Sequence, residues 1–358
     1  MAIYGNPLGS GLGAERQAYL DKMLLTNTSQ KTIYDRLATM TKALPLKNSQ
    51  RVEFEKWITM KNLYFSNNLN EDFTGNDASA GEETLQMIAR DEYQNFVLDE
   101  GSSGTSKGQM KLIKVSTDVF AIGDWMPYTE ELTLFHDRWT TSETVNQMSD
   151  MSAMVIDGYY RDLYFYGAGH MYDISGDGTG NDNVTDPAFG TSSKKLVTAL
   201  KLSGCEPMSA ILSSSPNYGT VPVNGRFVAY GHVAAIDAME EGNDDWIPLE
   251  KYSDRVTALP NERGMLKNIR FVEDANGYIE ATGTAGEYFA EFVVGGKDHT
   301  AQVPLRGKGK LETVYQPIGS GGTSDALKRV GSLGWKGWLG AKTLYPERLG
   351  ILKAKFNY

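Results

Sequence analysis

The sequence predicts an α+β fold organised around one long amphipathic helix and one long two-stranded ribbon, and three observations predict it. Strand and helix patterns do not alternate regularly enough for a doubly wound sheet or a barrel, and no repeat with a period of roughly 20 to 50 residues is present. One helical pattern continues unbroken for about seven turns. Two strand patterns of period two flank a long polar stretch.

At ~100 to 200 residues per domain, 358 residues suffice for two closely knit domains. Hydrophobic residues are 41% and charged residues 22%, the balance of a folded globular chain, which excludes disorder as the main theme. Lys plus Arg is 35 against 45 for Asp plus Glu, and the net charge of -10 repels polyanions, so a sequence-independent nucleic-acid coat is disfavoured. Cys205 is the only cysteine. That excludes an internal disulfide, a Cys-based zinc site and a CxxC redox pair within one chain, and it fits synthesis in a reducing cytoplasm. No run approaches the ~18 apolar residues of a membrane span. The N-terminus has neither the basic start nor the apolar core of a secretory signal, so a soluble chain not exported by that route is expected.

Residues 1–13 are rich in Gly and Pro and read as an extended arm. From Ala14, the spacing of Tyr19 and Met23, then Ile33, Leu37 and Met40, predicts short helical pieces. From Gln50 the period is two, with Val52, Phe54 and Lys56 on one face and Glu53, Glu55 and Trp57 on the other, which is a strand. A polar stretch (66–83), a short helical pattern through Leu85, Ile88 and Ala89, and a loop (99–108) lead to a second strand over 109–122. Its Val115, Thr117, Val119 and Ala121 share a face. Together the strands make a long hairpin with an elaborated tip. Two strands are marginal in water unless something covers a face, so ribbon and arm are expected to drape over sister molecules.

Thr140-Thr-Ser-Glu143 has capping-box spacing and opens the long helix, whose stripe is read as Val145, Met148, Ser152, Val155, Tyr159, Asp162 or Leu163, and Tyr166. Residues 142–166 would span about 37 Å at 1.5 Å per residue, and Gly167 and Gly169 end the rod. After a polar loop (173–191), Ser193 is read as the cap of a short helix through Leu196, Val197 and Leu200 that stops at Gly204. A strand over 225–231 leads into a helix through Val233, Ile236, Ala238 and Met239. Further strands are expected at 269–272, 288–294, 311–316, 333–343 and 349–356.

Signals for chemistry are weak. Gly104-Thr-Ser106-Lys-Gly108 fits the nucleophile-elbow string, but the residues after it alternate like a strand, so it reads as a hairpin turn. Asp173-Ile-Ser175-Gly-Asp177-Gly178 resembles the start of a calcium loop. Val184 stands where the bidentate Glu is needed and only Asp182 or Asp186 could substitute, so a solvated acidic loop over 173–186 is the default and calcium binding stays open. The Gly-rich runs 9–13 and 319–325 lack phosphate-loop spacing. His136, His170, His232 and His299 form no metal-binding pair and read as surface or helix-cap residues. The acidic pairs Glu82-Glu83, Glu130-Glu131, Glu240-Glu241 and Asp244-Asp245 read as solvated faces, although a glycosidase could assemble two of them. Arg306-Gly-Lys-Gly-Lys310 reads as a turn able to touch a phosphate. No catalytic, cofactor-binding or metal-binding residue is assigned, and no cofactor is expected.

The last third carries a more specific signature: Val294-Gly-Gly-Lys-Asp298, Val303-Pro-Leu305, Gln316-Pro-Ile-Gly-Ser-Gly-Gly-Thr-Ser-Asp325 and Leu327-Lys-Arg-Val-Gly-Ser-Leu-Gly-Trp-Lys336. With Leu98-Asp-Glu-Gly101, Ala121-Ile-Gly-Asp-Trp125 and the long helix in the same order, it resembles a major capsid protein family of tailed bacteriophages over 96–358. The resemblance implies the Hong Kong 97-type shell fold. Its parts would be an N-terminal arm (1–46), an extended loop (47–122), a peripheral domain on a spine helix (123–191 and 303–358) and an axial domain (192–302). It implies self-assembly into hexamers and pentamers of an icosahedral head, made in the host bacterial cytoplasm and located in the virion. The implied partners are a separate scaffolding protein, a portal, a decoration protein, and packaged double-stranded DNA on the inner face without sequence-specific binding. No membrane partner is implied, and no Lys–Asn crosslink is readable. The alternatives are a carbohydrate-active hydrolase using an acidic pair and a calcium-stabilised adhesion or decoration protein using the Asp173 loop.

Overall fold

The computed structural model describes residues 14–38, 40–44, 50–58, 111–135, 141–172, 184, 187–207, 226–251, 259–284, 286–304, 311–319 and 327–357. The first half holds α1 (Ala14–Lys31), a 3₁₀ turn (Tyr34–Leu37), β1 (Met40–Thr41), β2 (Arg51–Ile58), β3 (Lys111–Asp118), β4 (Phe120–Thr129), α2 (Glu130–Phe135) and α3 (Thr141–Gly167). Then come β5 (His170–Tyr172), α4 (Pro187–Leu202), β6 (Phe227–His232), α5 (Val233–Gly242), β7 (Trp246–Pro248), β8 (Glu262–Leu266), β9 (Ile269–Asp274) and β10 (Ile279–Ala281). The chain closes with β11 (Glu287–Gly295), β12 (Thr300–Gln302), β13 (Leu311–Gln316), β14 (Val330–Leu339), β15 (Ala341–Thr343) and β16 (Leu349–Asn357).

The main sheet runs β5-β16-β11-β6-β9-β8-β7, with β10 beside β11. The β6–β9 and β5–β16 pairs are parallel and the rest antiparallel. Among the described residues, a second sheet is ordered β13-β14-β4, a third β1-β12-β15, and β2 pairs with β3 as the predicted hairpin, Arg51 opposite Asp118 through Ile58 opposite Lys111. One core lies under α3, joining Val145, Met148, Ile156, Tyr160 and Tyr164 to Leu20, Leu24, Tyr34, Leu37, Leu333 and Trp335. Another packs α4 and α5 on the main sheet through Phe189, Leu196, Ile236, Met239, Phe271, Phe292 and Phe356.

Helix α3, 27 residues long, spans about 40 Å. Its buried stripe departs from the expected one after two turns: Ile156, Tyr160 and Tyr164 are buried, while Val155 is 45% and Tyr166 68% exposed. The expected stripe advanced 3.5 residues per turn. A straight helix turns every 3.6, so the buried face drifts ~20° per heptad toward the later residue of each pair. Ile156→Ala should therefore destabilise the subunit by about 2 to 5 kcal/mol and Val155→Ala by less than ~0.5 kcal/mol, read from urea denaturation midpoints. Equal losses would place the stripe wrongly.

Other expectations need correction. The arm is not a set of short pieces up to Lys31 but one 18-residue helix, whose Leu20 and Leu24 pack on the chain's own spine. The root of the ribbon is likewise covered at home: Val52 and Phe54 pack with Leu44, Val119, Ala301, Val303 and Leu344. The second ribbon strand stops at Asp118, and after buried Val119 the chain enters a different sheet as β4, leaving Ala121 exposed. Strand 333–343 is two strands broken at Gly340. Ser193 lies inside α4, its hydroxyl donating to the Phe189 carbonyl at 2.8 Å, because the helix begins earlier, at Pro187. The helix ends as expected near Gly204, whose φ of +76° suits glycine after a helix C-terminus.

Candidate assembly elements

The junction of arm and spine is apolar around Leu20 and Leu24 and polar from Asn27 to Tyr34. Small residues on α3 (Ser149, Ser152, Ala153) let α1 approach closely, and their hydroxyls and neighbours are then satisfied across the gap. Thr28 Oγ1 lies 2.8 Å from Ser152 Oγ, and Asn27 Nδ2 donates to Asn146 Oδ1 at 2.7 Å. Further along, the Asp157 carboxylate accepts the backbone N–H groups of Ile33 (3.0 Å) and Tyr34 (3.2 Å), and Tyr164 Oη donates to the Tyr34 carbonyl at 2.9 Å. These bonds satisfy donors at the start of the 3₁₀ turn that have no partner within it. Burial, followed by the charge of Asp274, pushes the Asp157 carboxyl up to about 7 against the pull of the two N–H bonds. Sequence reading passed over Asp157. A 3.6-residue stripe would have flagged it as an acid between Ala153 and Tyr160 on the buried face.

At the ribbon root, Lys56 is buried as its place in the Val52–Phe54 row requires. Its ammonium lies 3.2 Å from Glu347 Oε1 and 4.3 Å from the Tyr345 ring centre. Burial lowers its pKa, with Glu347 opposing. The outward row carries cross-strand pairs, Arg51 with Asp118 and Lys114 with Glu53.

The β13-β14-β4 sheet buries one face on the spine core. On the other face, register places Pro127, Trp125 and Ala121 opposite Ser332, Gly334 and Trp338. Trp125 is 65% exposed, and Trp338 and Val330 are exposed with it. The outer face of an antiparallel sheet is ordinarily polar. Here the exposed Trp125 and Val330 lie on one side of a Lys336–Glu312 ion pair (3.4 Å) and Trp338 on the other, and no described residue covers the two indole rings.

Catalytic candidates do not converge. Residues 9–13, Glu82-Glu83, the 66–83 and 85–89 stretches, 98–101, the 104–108 string, His136, the calcium-like loop apart from Val184, the 306–310 run and most of 319–325 lie outside the described residues. His232 caps α5 as expected, its Nδ1 accepting from the Ala234 N–H at 3.1 Å. His170 is half-buried, with Nε2 3.0 Å from the Glu347 carbonyl. His299 corrects the surface reading: it is fully buried, 2.7 Å from Thr300 Oγ1 and edge-on to Tyr164, and burial pushes its pKa down to about 3. Glu240 and Glu241 border a surface hollow of about 590 Å³, but Arg263 in it binds Glu240 at 2.8 Å and Asp237 at 3.0 Å. Glu131 pairs with Arg329, and Asp245 with Lys267. The acids that pair in this way meet cations where a glycosidase would set one carboxylic acid against one free carboxylate. No group of three His, Cys, Asp or Glu able to hold a metal occurs among the described residues, and no described helix is long and apolar enough to cross a membrane.

No protein-family model matches the sequence, and no curated protein matches it. Solved structures do. The chain is similar to the capsid of Ralstonia phage GP4 (TM-score 0.55, 9% identity, 99% of this chain and 97% of that one). It is also similar to the capsid structure of Cyanophage P-SCSP1u (0.52, 10%, 99% and 92%) and to the mature capsid of bacteriophage PhiM1 (0.51, 10%, 99% and 91%). The fold is the Hong Kong 97-type capsid fold. At such low identity, the capsid fold rests on the order and path of the elements over nearly the whole chain and not on shared side chains.

Proposed function

We propose that the chain is the major capsid protein of a tailed bacteriophage, a structural subunit that assembles into hexamers and pentamers of an icosahedral head. The observation that carries the reading is the capsid fold along almost all of both chains. The exposed Trp125, Trp338 and Val330, grouped around the Lys336–Glu312 pair on one sheet face, support it, because large apolar side chains gathered on a surface and rimmed by polar groups mark contact sites, and the occupant we assign is a second copy of this chain. The proposed division is an arm over 1–46, an extended loop over 47–122, a peripheral region over 123–191 and 303–358, and an axial region over 192–302. The last strand, β16, belongs by position to the peripheral block and pairs with β11 of the axial one. The reading brings a separate scaffolding protein, a portal, a possible decoration protein and double-stranded DNA held on the inner face without sequence readout. It places the protein in the virion after synthesis in the host bacterial cytoplasm, and assigns it no catalytic role. Sedimentation velocity of the expressed protein, with and without its scaffold, should show capsomers or shells far above the 39.5 kDa subunit. A monomer under every condition would overturn the proposal.

A further inference from the structure

The 3₁₀ turn at Tyr34–Leu37 closes over buried acids of α3 and β9. Asp157 on α3 is fully buried and Asp274 at the end of β9 nearly so. The Oδ2 of Asp274 and the hydroxyl of Tyr34 are buried without a hydrogen-bond partner among the described residues. Asp35 faces Asp157 from the turn, Tyr230 from β6 and Tyr164 from its own helix, while His232 from β6 and Arg161 from α3 face Asp274; Arg36 of the turn lies toward Tyr230 and Tyr160 of α3 toward Asp35. Arg161 is shared, since its Nη1 also donates to the Asn276 carbonyl at 2.8 Å. Seating the turn thus closes over the Asp157 carboxyl, and burial together with the nearby Asp274 charge disfavours its ionisation. The turn is held meanwhile by Asp157 Oδ1, which accepts from both Ile33 (3.0 Å) and Tyr34 (3.2 Å), while Oδ2 takes a longer share of the same Ile33 N–H (3.2 Å). One oxygen can therefore keep both bonds while the other carries a proton.

We propose that Asp157 is a proton-operated latch for the arm: the turn after α1 seats on the spine with the Asp157 carboxyl protonated and loosens as that carboxyl ionises. The sign follows from linkage. Seated, the carboxyl holds its proton to about 7, whereas with the turn lifted it returns toward the ordinary carboxylate range near ~4. Seating takes up a proton between those values, so it weakens by roughly tenfold per pH unit from pH 5 to 7 and levels off above. The latch does not depend on whether the subunit builds a shell.

Hydrogen exchange of the 33–38 amides in the full-length, unassembled chain, corrected for intrinsic exchange, reads the opening directly. The opening constant should rise roughly 50- to 100-fold between pH 5 and 8 in the natural chain and change less than about threefold in Asp157→Asn, which is neutral at every pH. A flat profile in the natural chain, or the same slope in Asp157→Asn, would overturn the latch. Should the variant fail to fold, the carboxyl ¹³C shift of Asp157 in the natural chain decides. An inflection near 7 supports the proposal and one below 5 overturns it.

Discussion

Phe292→Ala should destabilise the subunit by about 3 to 5 kcal/mol and remove most of the soluble protein on expression. The residue sits in the middle of β11, opposite Leu352 of β16, and is fully buried. Its ring meets Phe271 edge-on at 5.6 Å and Phe189 at 5.7 Å, so it ties α4 to the main sheet. One edge of the ring also abuts the backbone of β6, where a Cβ at Gly231 would stand 2.3 Å from it. Neither strand can collapse into the space left behind, since both are pinned by ladders on either side. With domain stabilities of about 5 to 15 kcal/mol, one such loss consumes a large share of the total. Phe292→Leu, which keeps most of the volume, should cost markedly less. Denaturant midpoints and soluble yield check both, and a Phe292→Ala chain as stable as the natural one would remove the second core from the account.

The opposite pattern is expected on the outer sheet face. Trp125→Ser combined with Trp338→Ser should leave the melting temperature of the isolated subunit within a few degrees of the natural chain and abolish assembly at working concentrations. A tryptophan buries about 150 to 250 Å² in all, of which Trp125 still exposes 65% and Trp338 36%, and such anchors carry about 2 kcal/mol each at an interface. Two of them shift association by roughly three orders of magnitude per contact, and a shell repeats the contact in every subunit. Circular dichroism and sedimentation velocity on the same preparation separate folding from assembly. Shells of normal yield from the double variant would show that another surface holds the copies together.

The parts of the fold that were legible in sequence are those where local pattern and tertiary role agree. The alternation of Val52, Phe54 and Lys56 named both the strand and its buried face, and even the buried charge fell into place once Glu347 met it. The strands at 227–232 and 287–295 and the helix from Val233 were visible for the same reason. What was not legible depends on long-range partners. His299 reads as an ordinary polar residue until Tyr164 and Thr300 enclose it. Ser193 has the chemistry of a cap, and only the position of Pro187 shows it to be interior. The short strands at Trp246–Pro248 and Thr300–Gln302 carry too few residues to show a period and exist because a neighbour pairs them. The expectation that neither arm nor ribbon is covered within the chain failed at the arm helix and the ribbon root, where covering residues such as Val145 and Met148, or Ala301, Val303 and Leu344, lie over a hundred positions away in sequence.

The measurement that bears most directly on the central claim is a cryo-electron-microscopy reconstruction of the protein expressed with its scaffold. The account predicts closed shells of pentamers and hexamers in which the Trp125–Trp338 face is buried against a second copy. Particles confined to a single small oligomer, or shells that leave this face in solvent, would contradict it.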